Sequence, residues 1–421
     1  MDAWIAGAVF LVAYAFIAAE RVDRTLVALL AGLSLVVVGV LDQHEAFAAI
    51  DFNVIFLLAG MMVLASGLGR TGFFRWLAIR SVRLSGGDPL RLLIILSAVT
   101  GVLSAFFDNV TTVVLMTPIT LSVAHRLGVS PVPYLISQIL ASNIGGTATL
   151  IGDPPNILIG SAANLDFGAF LFHLGPVAAI TFGAFLVTMI VLFRGSLKVP
   201  DEQREAALEA TEESAIPDRG ELARVLVVVG GTMLAFLAAP ELGVEPATVA
   251  LLGATVLMLV SGLDPHTGFR DVEWSTLFFF VGLFILVEGI VSVGIVGGIA
   301  TAIADAVGDD VGLAAMAVLW FSAGASAIID NIPYTTTAIP VVQHLVDGGL
   351  APDALWWALA LGACLGGNLT IVGASANIVV ANVAGRAGHA IRFGEFLRYG
   401  AVVVTQSLLI SSVYVWVRYV S

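Results

Sequence analysis

Thiols and charge are what this chain has least of. One cysteine, Cys364, stands among 421 residues, which excludes an internal disulfide and any multi-thiol metal or cofactor site. Charged residues make up 12% of the chain, against about a quarter in an ordinary soluble domain. No Gly-x-x-x-x-Gly-Lys-Ser/Thr run occurs, so the chain carries no P-loop for ATP. The formal net charge of -13 excludes nucleic acid as a partner.

What is present is apolar. Hydrophobic residues reach 59% and the mean hydropathy is +1.01, values of an all-α polytopic membrane protein whose first partner is the lipid bilayer. The first apolar run, Trp4 to Ala19, follows an acid and has no basic flank, so it reads as a retained span rather than a cleaved leader.

Runs long enough to span, about 17–25 residues, fall near 3–19, 24–41, 54–69, 131–159, 168–193, 223–240, 246–263, 275–297, 354–383 and 395–418. Two further segments, 91–125 and 311–345, have polar centres and read as re-entrant hairpins. With the N-terminus outside, Arg418 alone of the 18 basic residues falls outside. The expectation is a multi-pass protein of the plasma (inner) membrane, its central loop cytoplasmic.

The two halves align. "DNVTTVVLMTP" at 108–118 returns as "DNIPYTTTAIP" at 330–340, and Gly60, Gly67 and Gly72 return at the same offset as Gly282, Gly289 and Gly294. A second pattern, Gly-Gly-x-x-Thr-x-x-Gly-x-x-x-Asn, runs over Gly145–Asn156 and again over Gly366–Asn377. Each half holds five spans, one of them broken, and a hairpin. An odd span number inverts the second copy, and inverted repeats with paired broken helices mark secondary transporters. The expected units are a first repeat over 1–193, an acidic linker over 194–222 and a second repeat over 223–421.

In hydrocarbon every backbone N–H and C=O needs a partner, so an unwound segment survives only inside protein or beside water. The glycine pairs permit each break, and Pro154 and Pro155 prevent the first helix from continuing. The candidate substrate or ion ligands are therefore Asn143, Thr147, Thr149, Asn156, Asn368, Thr370, Ser375 and Asn377 at the breaks. At the hairpin tips they are Asp108, Asn109, Thr111 and Thr112, and Asp330, Asn331 and Thr335, with Thr336 beside them. The half-helix that follows each break turns a partly positive N-terminus toward an anion or a hydroxylated neutral solute. Ionisable groups within the membrane are functional candidates, so Asp108, Asp330, Asp153 and Glu288 are the candidates for proton coupling. Glu288 has Ser66 as its repeat mate and so lies outside the symmetric scaffold, while Asp153 has an alternative role as the N-cap of its half-helix. The six histidines read as interface anchors near span ends, Trp356 and Trp357 as belt residues, and Cys364 as packing.

At "SNIGGTATLIGDPPN", "DNIPYTTTAIP" and "GACLGGNLTIVGASAN" the chain resembles the ArsB/NhaD permeases of the ion transporter superfamily. Within it the likeness is to the melanosomal P protein and its bacterial relatives, then to arsenite pumps, sodium/proton antiporters and, more distantly, dicarboxylate and citrate transporters. The resemblance implies a fixed scaffold and an elevator-like transport domain, a homodimer, and a separate ATPase subunit if the chain is an arsenite pump. Sodium-coupled dicarboxylate carriers of the superfamily carry Ser-Asn-Thr at tips and breaks. The Asp-Asn tips here favour protonatable coupling groups instead.

The expected function is a secondary active transporter and not an enzyme, with proton-coupled arsenite or antimonite efflux first, since Thr, Asn and carbonyl groups can hydrogen-bond neutral As(OH)3. Sodium/proton antiport and organic or inorganic anion transport are the alternatives. No cofactor is expected beyond a coupling proton or sodium ion. An intramembrane aspartyl protease would also need two membrane carboxylates, but "IGDPP" lacks the second glycine of a Gly-x-Gly-Asp site.

Overall fold

The computed structural model describes residues 1–19, 21–195, 197 and 218–421. Most of the expected acidic linker over 194–222 therefore lies outside the described residues. Every described element is helical.

In the first half the helices are Asp2–Ala19, Arg24–Val37, Gln43–Ala48, Phe52–Arg70, Phe73–Ser85, Pro89–Phe106, Asn109–Arg126, Val132–Gly146, Pro154–Ala163, Phe167–His173 and Gly175–Phe193. In the second they are Arg219–Leu242, Pro246–Ser261, Pro265–Arg270, Trp274–Ser292, Ile295–Val307, Val311–Ile328, Asn331–Asp347, Pro352–Gly366, Ser375–Arg386 and Phe393–Val415. The helix starts of the second set from Pro246 to Asn331 all follow a start in the first at the offset that separates the two Asp-Asn tips. Ten of the 31 acidic residues start helices. The carboxylates of Asp23, Asp42, Asp51, Asp88, Asp108, Asp166, Asp218, Asp264, Asp310 and Asp330 each accept from a backbone N–H of the first turn. There they satisfy orphan donors and meet the positive end of the helix dipole.

Eight described helices are long and apolar enough to cross a membrane, including the first arms of both hairpins, Pro89–Phe106 and Val311–Ile328. Several expected spans are shorter or divided. The runs 24–41 and 246–263 hold helices of 14 and 16 residues; at 1.5 Å per residue these reach about 21 and 24 Å, short of a ~30 Å hydrocarbon core. The run 168–193 divides at Leu174, before Gly175–Phe193. The run 275–297 ends at Ser292, because Gly294 takes φ +80° and starts Ile295–Val307 at a new angle. Its repeat mate Gly72, at φ +77°, turns the chain into Phe73–Ser85 in the same way. Hydropathy blurred the start of the second of these amphipathic connectors, while the first lies beyond the expected run 54–69.

Two packing groups result. Asp2–Ala19, Arg24–Val37, Phe52–Arg70, Arg219–Leu242, Pro246–Ser261 and Trp274–Ser292 pack on one another. The hairpins, the broken helices, Gly175–Phe193 and Phe393–Val415 form the second group, and the connectors join the two. In the first group the halves exchange partners: Arg24–Val37 packs on Trp274–Ser292, and Pro246–Ser261 on Phe52–Arg70. The repeated glycines make this approach possible. A Cβ on Gly282 would sit 2.5 Å from the Ala28 carbonyl carbon, and one on Gly60 would sit 2.7 Å from that of Ala250. Gly67 and Gly289 likewise leave room for Leu257 and Leu35. In each case one contact is the repeat image of the other.

Candidate functional site

Each broken helix is held open by backbone-to-backbone crossing. A Cβ on Gly145 would collide with the Gly101 backbone, and one on Gly366 with the Ala323 backbone, so each helix end lies flat against a hairpin arm. Within the breaks, Gly146 meets Gly152 and Gly367 meets Gly373 at similar range, which accounts for the third glycine of the repeated pattern.

The freed carbonyls go to asparagine. Asn156 Nδ2 donates to the carbonyls of Thr147 (3.1 Å) and Thr149 (2.8 Å), and Asn377 Nδ2 to those of Gly367 (2.8 Å) and Thr370 (2.9 Å). Thr149 Oγ1 donates to the Ala105 carbonyl (2.5 Å) and Thr370 Oγ1 to that of Ala327 (2.6 Å), tying each break to its own hairpin. Thr147 and Thr335 bond back to the carbonyls of Asn143 and Asn331, one helical turn earlier. These bonds hold the breaks open and tie each of them to its hairpin.

Asparagines from both halves then converge. Asn143 Nδ2 donates to Asn368 Oδ1 (2.9 Å) and Asn377 Oδ1 (3.0 Å), while its own Oδ1 accepts from Asn109 (3.1 Å). Asn109 and Asn331, one from each tip, both donate to Asp153 Oδ1 at 3.1 Å. Asp153 is fully buried and makes no capping bond to the Pro154–Ala163 helix, so the N-cap alternative does not describe it. Its counterpart in the repeated break pattern is Ala374. One buried carboxylate therefore joins the matching asparagines of both tips. The Pro154–Ala163 and Ser375–Arg386 helices begin beside this cluster with no side chain capping their N–H groups.

The tip carboxylates do act as caps. Asp108 accepts from Thr111 N (2.8 Å) and Thr111 Oγ1 (2.9 Å), and Asp330 from Ile332 N (3.0 Å). Asp330 has two further partners: Ser375 Oγ (2.5 Å) and the guanidinium of Arg24 (3.2 Å), which also donates to Ser375 Oγ (2.5 Å). Tyr14 reaches the same hairpin, donating to the Pro333 carbonyl (2.7 Å). Sequence reading missed Arg24 and Tyr14. Arg24 registered only as positive-inside charge, and no pattern linked either residue to a tip in the other half of the chain.

Three expectations change. Glu288 is only half-buried on Trp274–Ser292, near Glu45 and apart from the asparagine cluster, because that face of the helix turns toward Gln43–Ala48. Trp356 and Trp357 are buried rather than belt residues. The helix Pro352–Gly366 is enclosed throughout from Ala354, and Trp357 packs on Phe170 and His173. His173 is half-buried at the end of its helix, stacked on Trp357, with Tyr419 OH at 2.6 Å from its Nδ1. Cys364 is fully buried, its Sγ 3.4 Å from Asn156 Oδ1.

Two cavities approach the cluster. One, of about 280 Å³, is lined by Arg21, Arg24, Asp330, Ser375 and Ile378. The other, of about 320 Å³, is lined by Gly243, Val244, Glu245, Pro246 and Ile157; the first four are repeat mates of Arg21 to Arg24, and Ile157 is the mate of Ile378. The first reaches a tip carboxylate and the second ends at Leu150 and Ile157 without touching Asp108.

Comparison with known proteins agrees with this architecture. Uncharacterized transporters of Mycobacterium tuberculosis are 45% identical over 99% of this chain and 98% of their own length. The human P protein is 32% identical over 99% of this chain and 60% of its own. The crystal structure of the YdaH transporter of Alcanivorax borkumensis covers 99% of this chain and 97% of its own, with a TM-score of 0.58 at 16% identity, a likeness of fold. The sequence model of the CitMHS family, described as citrate transporter, matches residues 14–362. With its apolar helices, its paired helix breaks and that match, the chain belongs to the CitMHS citrate transporter family and is a multi-pass membrane transporter.

Proposed function

We propose that this chain is a secondary active transporter that moves a small organic anion, coupled to a proton, across the plasma membrane. The observation that carries the reading is Asp153, a fully buried carboxylate that accepts from both hairpin tips at once. A group so placed can respond to both halves of the transport cycle, and neutralising it by a proton makes its passage through a low-dielectric region far less costly. The two uncapped half-helix N-termini beside the asparagine cluster supply N–H dipoles suited to a carboxylate. Membership of a family described as citrate transporter supports the same class.

The helices of the second packing group would travel as the elevator, with the first group as scaffold and the repeats 1–193 and 223–421 related by a two-fold axis in the membrane plane. The N-terminus would be outside and the 194–222 linker cytoplasmic. Asp108 and Asp330 would contribute through the tips, and a homodimer would fix the scaffold.

Arsenite or antimonite efflux is the second reading. It is favoured by the neutral amide cluster and by Cys364 beside Asn156, and it alone would bring in an ATPase subunit. Flux into proteoliposomes, with citrate, arsenite and sodium offered separately against an imposed pH gradient, tests these readings. Citrate accumulation driven by the pH gradient is expected. Arsenite flux alone would install the second reading, and sodium–proton exchange without either solute would make the chain a cation antiporter.

A further inference from the structure

The two tips are not equivalent in charge. At the second, both oxygens of Asp330 are occupied, and the Arg24 guanidinium bonds Asp330 and Ser375 together. Arg21 and Asp23 are the other charged groups facing that cavity. At the first tip the positions matching Arg24 and Ser375 are Pro246 and Pro154, so no guanidinium reaches Asp108 and its one hydroxyl partner is Thr111 of its own helix turn. Asp108 forms no ion pair among the described residues, and the charged groups that act on it, Asp153 and Glu273, are both acidic.

Two buried acceptors at the first tip lack partners as well. Asn109 Oδ1 and Thr112 Oγ1 have no hydrogen bond, although Asn109 is 2% exposed and Thr112 fully buried. They share one face of Asn109–Arg126, in its first turn, directly after Asp108. No side-chain atom between 330 and 340 is left in that condition. Buried oxygens without donors, beside carboxylates without a cation, are what a small cation would complete.

We infer that Arg24 is a resident cation at the second tip, and that the exchangeable coupling cation is confined to the first, among Asp108, Asn109, Thr112 and Asp153. This rests on the transport reading above. Arg24 belongs to the first packing group and Asp330 to the second, so the tethered charge neutralises the second tip only while the two groups stand as they do here. The exchangeable ion is a proton or sodium, and the test separates them.

The coupling ratio is measured in proteoliposomes as the solute gradient that balances an imposed pH or sodium gradient, with citrate or arsenite as the solute, whichever the wild type moves. Arg24→Gln should gain one coupled cation per solute, of whichever ion drives the wild type, and Arg24→Lys should keep the wild-type ratio. Thr112→Val should raise the half-saturating cation concentration at least tenfold. An unchanged ratio in Arg24→Gln, an extra cation in Arg24→Lys, or a wild-type cation response in Thr112→Val would each overturn the inference. If Arg24→Gln does not fold, the other two variants still decide it. In detergent, the melting temperature of the wild type should rise with sodium or with proton concentration through mass action, and Thr112→Val should lose that rise. Its persistence would overturn the site. A wild type that shows this thermal response but moves no solute would refute the transport reading and leave the cation site standing.

Discussion

Asn109 and Asn331 occupy matching positions of the repeat and donate to the same atom, Asp153 Oδ1, each at 3.1 Å. The repeat supplies the two amides, and a position where the two copies differ, Asp153 against Ala374, supplies the acceptor. Matching amides of the two tips are thereby joined through one charge.

Replacing that charge is the most direct test. Asp153→Asn keeps an oxygen for the two amides and removes the ionisable group. It should fold, and should lose at least tenfold of pH-driven uptake. Asp153→Ala, although alanine is native at position 374, leaves buried donors unpaired at about 1–3 kcal/mol each and should lower the melting temperature as well. Wild-type pH-driven uptake in Asp153→Asn would remove Asp153 from coupling.

Asn143 bridges the halves by accepting from Asn109 and donating to Asn368 and Asn377. Asn143→Leu is close to it in size but strands all three neighbours. Thermal unfolding should show a loss of several kcal/mol, at about 1–3 for each unsatisfied buried group. A shift too small to detect would mean that water replaces the amide.

Close backbone crossing predicts a sharp contrast among glycines. Gly145→Ala and Gly366→Ala would drive a methyl into the facing backbone and should abolish the monodisperse peak in size-exclusion chromatography. Gly297→Ala and Gly298→Ala, on the open face of Ile295–Val307, meet nothing within 4 Å. They should be neutral or stabilise by up to about 1 kcal/mol.

Outside the membrane, the Arg70–Asp271 pair gives a pH prediction. Burial opposes the charged form of Asp271, but hydrogen bonds from Ser66 and Arg70, with the Arg70 charge, outweigh it and hold the carboxyl below its usual range. Such a group contributes stability above the unfolded value, about 3.9, and loses it as pH falls through the lower folded value. Because both partners are partly exposed, Arg70→Gln should cost less than about 1 kcal/mol at pH 7. The gap from wild type should close on acidification below about pH 4. A gap that widens in acid would contradict the assignment.

Inverted repeats predict that the mated loops around Asp23 and Glu245 lie on opposite sides of the bilayer. In a Cys364→Ser background, Asp23→Cys and Glu245→Cys should react with an impermeant maleimide from opposite faces of oriented vesicles. Labelling from the same face would defeat the inverted arrangement.

Much of this was legible because it repeats. A nearly constant spacing between motifs needs only comparison of the chain with itself, and it located both tips, both breaks and the glycines that set helix approach. Membrane residence followed from composition, since hydrocarbon selects for apolar side chains irrespective of fold. Hydropathy failed at Gly294, where a left-handed backbone turns an apolar run into two helices, and at Trp356 and Trp357, where apolar character could not distinguish lipid from protein interior.

The sequence by itself determined the class of molecule, its internal motif repeat and the residue types at its centre, because each of these is a local or periodic property. Only the tertiary structure decided which of those residues meet. It turned Thr149 and Thr370 into braces, set Glu288 apart, made Asp153 the junction of both tips, and brought Arg24 from the second helix onto Asp330 in the other half of the chain. Contacts of that range depend on how two packing groups dock, and the chain carries no local signal for such docking.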